Sequence, residues 1–188
     1  NKLINNENIV DKIGNDSFTH LMNICLSCLS KSESTCKRGN FIEVRNGIIN
    51  ISPIGKSCNQ KERENFFEKD KLYGYRKNLI ESIQRRWNEF IYESENKEIE
   101  LQFSLGGMIS IDIFPKGWDK TYCLNFVDDK YDKIYFFGNN TEKGGNDYEI
   151  FNDPRTESYS VKSPEETMKI INDRFLDKSV FELNQHIE

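Results

Sequence analysis

Three basic residues in the first half of the chain could together bind a phosphate group. Arg45 lies at a turn, Lys56 lies in the run Ser-Pro-Ile-Gly-Lys-Ser, and Arg63 follows shortly after. A planar guanidinium can hold a phosphate through two parallel hydrogen bonds, and an ammonium adds a point charge. The same residues would also serve as ordinary surface charge, so their spacing alone leaves both interpretations open.

Two further polar residues alternate along one later segment, Ser110 and Asp112. In a β-strand, residues two apart share a face, so a hydroxyl and a carboxylate would stand side by side there. They could donate and accept hydrogen bonds to a polyol. The solvated face of a strand would look the same.

Oxygen-bearing residues follow a β-rich segment in the last third of the chain. They fall in the ranges 138–141, 144–147 and 152–156, which are rich in Asn, Asp, Gly and Thr. Such hard oxygen ligands suit Mg²⁺, and the end of a buried strand is where α/β folds place functional groups. Turn formation would use the same residue types.

Composition excludes several classes of protein. The 188 residues are 36% hydrophobic, 12% aromatic and 30% charged, which is typical of a globular domain. The net charge of −5 argues against nonspecific binding to nucleic acid or to an anionic membrane. No apolar run approaches the roughly 18 residues of a membrane span, and the cysteines lack the spacing of a disulfide framework. We therefore expect a cytoplasmic protein, with Cys25 and Cys28 packed in its core.

Two hairpins must position the first two groups of residues. Asn46-Gly47 between two β-rich runs predicts a tight turn that pairs Val44 with Ile49 and Ile42 with Ile51. Alternation over 99–113 predicts a second hairpin, whose apolar side chains share one face if residues 106–108 form its loop. Each hairpin then has one core face and one polar face.

Helical periodicity surrounds these hairpins. It predicts one or two helices before Lys31, interrupted near Gly14 with Asp16 or Ser17 as an N-cap, and one helix from Lys69 to about Tyr92.

The character of the sequence changes after Pro115, so we place a domain boundary between residues 117 and 118. Residues 118–188 predict strands near 133–137 and 159–161, followed by a helix with Ser163 as N-cap and Pro164 in its first position. Two strands would leave a parallel sheet uncovered, so this part should need partner strands from elsewhere. The fold class is α/β.

Four long motifs resemble the eukaryotic-type phosphomannomutases, a family within the haloacid dehalogenase superfamily. They are FIEVRNG (41–47), NISPIGKSC (50–58), GGMISIDIFPKGWDK (106–120) and YFFG (135–138) with GGNDYEIF (144–151). The motifs occur in the order and spacing of the family, so the resemblance extends over nearly the whole chain.

The resemblance implies a fold and an activity. Residues 1–117 would form an α+β cap with an antiparallel sheet, which binds sugar phosphate and pairs with a second cap in a homodimer. Residues 118–188 would form the C-terminal part of a Rossmann-like core. The activity implied is the interconversion of mannose 6-phosphate and mannose 1-phosphate for GDP-mannose synthesis, through a phosphoaspartate. Mg²⁺ and a hexose 1,6-bisphosphate activator would take part.

The resemblance also implies roles for single residues. Arg45, Lys56 and Arg63 match the positions that bind phosphate in the cap. Ser110 and Asp112 match those that bind sugar hydroxyls.

In the core, Lys120 matches the superfamily's basic residue beside the nucleophile, where an ammonium offsets charge on the phosphoryl group. Asn139 occupies the position of a magnesium ligand. The carbonyl of Phe151, with Asp153 and Thr156, resembles a second cation site.

Two residues depart from the family pattern. Lys56 stands where the family usually has Arg, which keeps the charge but loses the bidentate fork. Asn139 stands where the family has Asp, which removes a negative charge from the magnesium site. We therefore expect a phosphate held less rigidly and a weaker or differently tuned metal site.

The superfamily's nucleophile motif, Asp-x-Asp-Gly-Thr, does not occur in the sequence. We therefore expect the chain by itself to be inactive and to represent part of a larger enzyme that carries the nucleophile. Two alternatives remain: a non-catalytic module for sugar-phosphate binding or dimerisation, and a hexose-bisphosphate phosphatase of the same superfamily.

Overall fold

The computed structural model describes residues 6–94 and 98–176. The helices in these residues are α1 (Ile9–Ile13), α2 (Asn15–Lys31), α3 (Gln60–Tyr73), α4 (Tyr75–Glu93), α5 (Tyr148–Phe151) and α6 (Pro164–Arg174). The strands are β1 (Ile42–Val44), β2 (Ile49–Ile51), β3 (Leu101–Gly106), β4 (Ser110–Pro115), β5 (Ile134–Gly138) and β6 (Thr156–Ser160). Short 3₁₀ helices span Lys120–Phe126 and Asp128–Lys130. None of these helices is both long and apolar enough to cross a lipid bilayer.

The strands form two sheets of different kinds. An antiparallel sheet has the order β1-β2-β4-β3, and β5 pairs with β6 in parallel. Helices, an antiparallel sheet and a parallel pair together confirm the α/β fold class. The division into a cap of residues 1–117 and a core of 118–188 stays a prediction, and residues 177–188 lie outside the described part.

The main core lies between the antiparallel sheet and the helices α1, α2 and α4. Ile49 and Ile111 of the sheet and Leu21 of α2 are fully buried in it, and Trp87 of α4 is 2% exposed. Cys25 and Cys28 belong to the same core, as predicted, and burial raises the pKa of the Cys25 thiol to about 12. Because helices cover this face of the sheet, the polar side chains of alternate residues occupy the other face.

The first hairpin has the predicted register. Val44 pairs with Ile49 and Ile42 pairs with Ile51, so the β-branched side chains share the core face.

The second hairpin differs from the prediction by one residue in its loop. The loop consists of residues 107–109, and Leu105 pairs with Ile111 where the predicted loop would pair it with Ile109. Gly107 in this loop adopts the left-handed conformation, with φ of 46°. Ile109 leaves the ladder because it packs into a second, smaller core with Ile54, Cys58 and Phe66. The pairing shifts by two residues, so the apolar face is preserved.

Two predicted helices also need correction. The segment predicted as one helix from Lys69 begins earlier, at Gln60, and is broken at Gly74, which is left-handed with φ of 66°. Asn59 and Glu62 form a capping box that starts α3. The predicted caps of α2 are wrong, since Gly14 precedes that helix without a side-chain cap and Ser17 is buried inside it.

The parallel pair lies close to its predicted position but is poorly covered. β6 begins at Thr156, three residues before the predicted Tyr159. Ser163 caps α6 and Pro164 opens it, as predicted. No residue of α6 is buried, and Tyr135 on β5 is 37% exposed. Parallel sheets are ordinarily buried on both faces, which this pair is not.

Candidate functional site

A row of four polar residues crosses the antiparallel sheet on the face opposite the helices. Glu43 of β1 pairs with Asn50 of β2, Asn50 pairs with Asp112 of β4, and Asp112 pairs with Ser104 of β3. Since cross-strand partners stand side by side, these side chains form a continuous line. We refer to Glu43, Asn50, Asp112 and Ser104 as the polar row.

The centre of the polar row is buried and only partly hydrogen-bonded. Asn50 Nδ2 donates to Asp112 Oδ1 at 2.5 Å, and these residues are 6% and 8% exposed. Asn50 Oδ1 and Ser104 Oγ are buried atoms without a hydrogen-bond partner in the described residues. Buried polar atoms are rarely left unpaired, because each lost hydrogen bond costs about 1–3 kcal/mol. Sequence reasoning missed Asn50 and Ser104, although both lie on the predicted polar face.

Ser110 and Asp112 meet around a glycine. Ser110 Oγ donates to the carbonyl of Gly106 at 2.7 Å. A Cβ at Gly106 would lie 2.7 Å from Asp112 Oδ2 and 2.9 Å from Ser110 Oγ. The absence of a side chain at Gly106 therefore creates the space in which the two predicted hydroxyl-binding groups stand together.

A carboxylate at the end of the polar row joins two of the predicted phosphate-binding cations. Glu43 Oε1 accepts from Arg45 Nε at 2.6 Å, and Glu43 Oε2 pairs with Lys56 Nζ. The hydrogen bonds from Arg45 and then from Lys56 lower the pKa of Glu43 to about 2. Arg45 Nη1 and Nη2 make no hydrogen bond within the described residues, so the outer end of this guanidinium is available to a ligand.

Arg63 contacts the same loop as Lys56 but through backbone atoms. Arg63 Nη2 donates to the carbonyl of Lys56 at 2.8 Å, and Nε lies 3.5 Å from the carbonyl of Cys58. Arg45, Lys56 and Arg63 are thus linked by a chain of contacts through Glu43 and the backbone of Lys56. The charge of Asp112 also helps to raise the pKa of Arg45, behind the larger effect of Glu43. The cations and the polar row are therefore neighbours on this face.

Lys120, the predicted catalytic residue, pairs with a carboxylate that sequence reasoning did not select. Its Nζ contacts Asp147 Oδ1, and Asp147 is 2% exposed. Asp147 Oδ2 accepts from the backbone N–H groups of Asn139 and Asn140, each at 3.0 Å. Burial alone would raise the pKa of Asp147, but the hydrogen bonds from Lys120 and from the two backbone groups lower it below its ordinary value. The sequence marks Asp147 only as one of several oxygen-bearing residues in the Gly-rich range 144–147.

The described residues offer an incomplete ligand set for magnesium at the first predicted position. Asn139 is exposed and supplies one neutral amide oxygen. The nearby carboxylate of Asp147 is already occupied by Lys120 and two backbone donors. Mg²⁺ requires near-octahedral oxygen coordination, usually with one or two carboxylates. These residues do not by themselves fit the ion, so we derive no chemical step through it.

The second predicted cation site is satisfied internally. Both carboxylate oxygens of Asp153 accept from Arg155, Oδ1 from Nε at 2.9 Å and Oδ2 from Nη2 at 2.7 Å. Thr156 Oγ1 lies 2.7 Å from the carbonyl of Ile150, to which it donates. Within the described ranges, no group of three or more His, Cys, Asp or Glu side chains could hold a metal ion. The roles of Phe151, Asp153 and Thr156 as ligands stay predictions.

The loop that carries Asn139 and Asp147 contacts the antiparallel sheet. Leu105 of β3 donates its N–H to the carbonyl of Gly144 at 3.0 Å. Asn140 Nδ2 donates to the carbonyl of Leu105 at 2.7 Å. Because Leu105 follows Ser104 directly, the Ser104 end of the polar row lies next to the loop that carries Asp147, the ion-pair partner of Lys120.

Comparison with known proteins places this geometry in context. The family model described as "Eukaryotic phosphomannomutase" matches residues 1–177. A probable phosphomannomutase of Caenorhabditis elegans is 44% identical over 163 residues, which cover 87% of this chain and 61% of that protein. Phosphomannomutase 1 of Homo sapiens is 44% identical over 182 residues, which cover 96% of this chain and 66% of that protein. Against such curated relatives, the chain spans about three fifths to two thirds of their length.

Among solved structures, an N-terminally truncated IMP-nucleotidase of Plasmodium falciparum aligns with 88% of this chain and 41% of its own, at 18% identity and a TM-score of 0.48.

Proposed function

This chain belongs to the eukaryotic phosphomannomutase family, and on that premise we propose that it serves the interconversion of mannose 6-phosphate and mannose 1-phosphate. The product would feed GDP-mannose synthesis. The chain's own contribution is to bind the sugar phosphate and to supply a cation at the reacting phosphoryl group. The aspartate nucleophile, which would form the phosphoaspartate, would come from outside residues 1–188, because none of them forms the Asp-x-Asp-Gly-Thr motif.

Arg45, Lys56 and Arg63 would hold the phosphate that is not reacting. Arg45 Nη1 and Nη2, which have no hydrogen-bond partner among the described residues, form a fork that matches two phosphate oxygens. Glu43 competes for the same cations and stays ionised at neutral pH, since its pKa is about 2. A dianionic phosphate must therefore displace part of the Glu43 contact, and Lys56, as a flexible ammonium, is the partner that can move.

Ser110 and Asp112 would bind the sugar hydroxyls beside that phosphate. Asn50 donates to Asp112 Oδ1 and so orients the carboxylate, and Asp112 Oδ2 lies beside the space at Gly106. A carboxylate accepts hydrogen bonds from hydroxyl groups, and the Ser110 hydroxyl can both donate and accept.

Lys120 would offset negative charge on the phosphoryl group in transfer. At most one of the three N–H groups of Lys120 Nζ donates to Asp147, so the other two can donate to a ligand oxygen. A hexose 1,6-bisphosphate would act as activator, as the family implies. If Mg²⁺ takes part, Asn139 would offer it one neutral amide oxygen, and the remaining ligands would have to come from groups other than Asn139 and Asp147.

One observation carries the proposal: the cations and the hydroxyl-binding side chains share a sheet face and are linked through the polar row. The test is calorimetric titration of the chain with mannose 1-phosphate. Arg45→Ala should raise the dissociation constant by tenfold or more, about 1.4 kcal/mol. Arg85→Ala, which removes an exposed arginine of α4, is the control and should change it less than twofold. Absence of binding by the wild-type chain, or equal binding by Arg45→Ala, contradicts the proposal.

We also propose that two copies of the chain pair through residues 1–117. β1 is an edge strand of the antiparallel sheet, with Val44 47% exposed, and Leu26 on α2 is 55% exposed. Exposed edges and apolar side chains are features that a subunit interface would cover. Sedimentation velocity should give a dimer mass that Val44→Glu with Leu26→Glu converts to monomer. A wild-type monomer at all concentrations contradicts this pairing.

A further inference from the structure

A buried ion pair holds the break between α3 and α4. The backbone N–H of Arg76 donates to Asp70 Oδ1 at 2.7 Å, and Arg76 Nε donates to Asp70 Oδ2 at 2.6 Å. The side chains are 5% and 7% exposed. Gly74 between them is left-handed and ends α3, and Asp70 meets Arg76 across this break. Taking two charges out of water is costly, so such a pair persists only where further hydrogen bonds support it.

Those further hydrogen bonds go to the turn between β3 and β4. Arg76 Nη1 lies 2.9 Å from the carbonyl of Gly107, 3.1 Å from that of Ser110 and 3.3 Å from that of Gly106. The three acceptors lie on both sides of the turn, so one guanidinium fixes both strand ends. The carbonyl of Gly106 also accepts from the Ser110 hydroxyl. Arg76 thus contacts the backbone of Ser110 and leaves the Ser110 side chain free to bond to the carbonyl of Gly106.

Helix α3, which carries Asp70, also contacts the loop that contains Lys56. Arg63, near the start of α3, donates to the carbonyl of Lys56 at 2.8 Å. In the middle of α3, Phe66 is fully buried against Ile54 and Ile109, one residue from the loop and one from the turn. Helix α3 therefore contacts both the loop that contains Lys56 and, through Phe66, the turn that leads into Ser110 and Asp112.

We propose that Arg76, held by Asp70, is a positioning residue that sets the spacing between the phosphate-binding cations and the hydroxyl-binding pair Ser110 and Asp112. The inference rests on the proposed function, because it assumes that both groups meet one ligand. A ligand that contacts the cations and the pair Ser110 and Asp112 at the same time depends on this spacing. Inorganic phosphate, which needs only the cations, does not.

The test compares two ligands on the full chain. Arg76→Met should weaken mannose 1-phosphate binding by tenfold or more, while the dissociation constant for inorganic phosphate changes less than twofold. Arg76→Lys retains a cation for Asp70 but lacks the Nη1 group that reaches the three carbonyls, so it should give an intermediate loss. Arg86→Met is the control, since Arg86 also lies on α4 and, among the described residues, its side chain donates a hydrogen bond to the Cys28 sulfur, at 3.7 Å, and to no group of the turn.

The outcomes separate the two proposals. A wild-type chain that binds phosphate but not mannose 1-phosphate contradicts the proposed function. A wild-type chain that binds both, with equal loss of both or of neither in the Arg76 variants, contradicts the positioning role alone. Amide hydrogen exchange gives a readout that needs no ligand. In Arg76→Lys, exchange should accelerate at residues 106–110, and uniform acceleration or none would contradict the inference even where Arg76→Met does not fold.

Discussion

Lys120 and Asp147 form an ion pair whose two ends lie in different surroundings: the Asp147 side chain is 3% exposed and the Lys120 side chain is 47% exposed. The carboxylate is fixed by the backbone of Asn139 and Asn140, whereas the ammonium faces the solvent. A fixed anion therefore holds a cation at the surface, where it can meet a phosphoryl group. The pair ties Lys120, in the 3₁₀ helix after the antiparallel sheet, to the loop after β5.

Asp147→Asn should lower the free energy of unfolding by about 1–3 kcal/mol, because an ammonium and two backbone N–H groups lose a charged acceptor. Urea unfolding measures the change. Asp132→Asn, at an exposed position, is the matched control and should stay within about 0.5 kcal/mol of the wild type. Since the folded pKa of Asp147 is below its ordinary value of 3.8, the stabilisation is present above that value and lost as pH falls through the folded pKa. A difference between wild type and variant that persists unchanged below pH 3 would argue against this role.

Glu43→Gln should bind inorganic phosphate about two- to fivefold more tightly, because a competing carboxylate leaves Arg45 and Lys56. The pKa of Glu43 is about 2, so the carboxylate is ionised and the gain should persist from pH 5 to pH 8. Calorimetry with phosphate provides the measurement. Glu100→Gln removes another exposed carboxylate, the partner of Lys116, and should have no effect. Weaker binding by Glu43→Gln would mean that Glu43 orients the cations rather than competing for them.

The apolar pattern predicts the first hairpin down to its register, because a one-residue slip would move every β-branched side chain out of the core. The second hairpin is less determined. Its pairing can shift by two residues without changing faces, and the choice depends on Ile109, which finds a separate core with Phe66. That contact joins distant segments, so local periodicity gives no sign of it.

The sequence likewise predicts some residues of the candidate site and misses others. Motif resemblance selects Arg45 and Asp112, because the predicted roles of both depend on the chemistry of their own side chains. It does not identify Arg76, whose role depends on three backbone carbonyls in a distant turn. Backbone acceptors exist at every residue, so no sequence pattern marks the ones that a buried guanidinium will meet. The sequence does carry a signal for the capping box at Asn59, because Glu62 lies three residues later.

Asn50→Asp should destabilise the protein at neutral pH, because a second carboxylate would stand where Asn50 Nδ2 now lies 2.5 Å from Asp112. Like charges this close raise the pKa of one member, so the cost is present above that raised pKa and is relieved as pH falls through it. The melting temperature of Asn50→Asp relative to wild type should therefore recover as the pH falls from neutrality toward the ordinary carboxyl pKa of about 4. Asn23→Asp on the exposed side of α2 should show no such recovery. A constant deficit across this range would refute the charge-based explanation.

Asn139→Asp should tighten magnesium binding by about tenfold, because an exposed carboxylate replaces a neutral amide oxygen at the loop after β5. Titration calorimetry with magnesium chloride detects the change without any sugar ligand. Asn88→Asp adds the same charge on α4, away from the loop, and controls for nonspecific attraction. Equal affinity in Asn139→Asp and Asn88→Asp would remove residue 139 from the ligand set.

Gly106→Ala should both destabilise the protein and weaken sugar-phosphate binding. The added methyl group would lie 2.7 Å from Asp112 Oδ2, and that carboxylate cannot retreat freely because Asn50 holds its other oxygen. The expected loss is about 1–3 kcal/mol of stability, as for other overpacked sites, with mannose 1-phosphate affinity falling at least tenfold and phosphate affinity unchanged. Gly47→Ala is the control, since its methyl group would meet Trp118 at an ordinary 3.6 Å. Because φ at Gly106 is not positive, backbone strain adds nothing, and full sugar-phosphate affinity in Gly106→Ala would mean that Ser110 and Asp112 do not face the sugar.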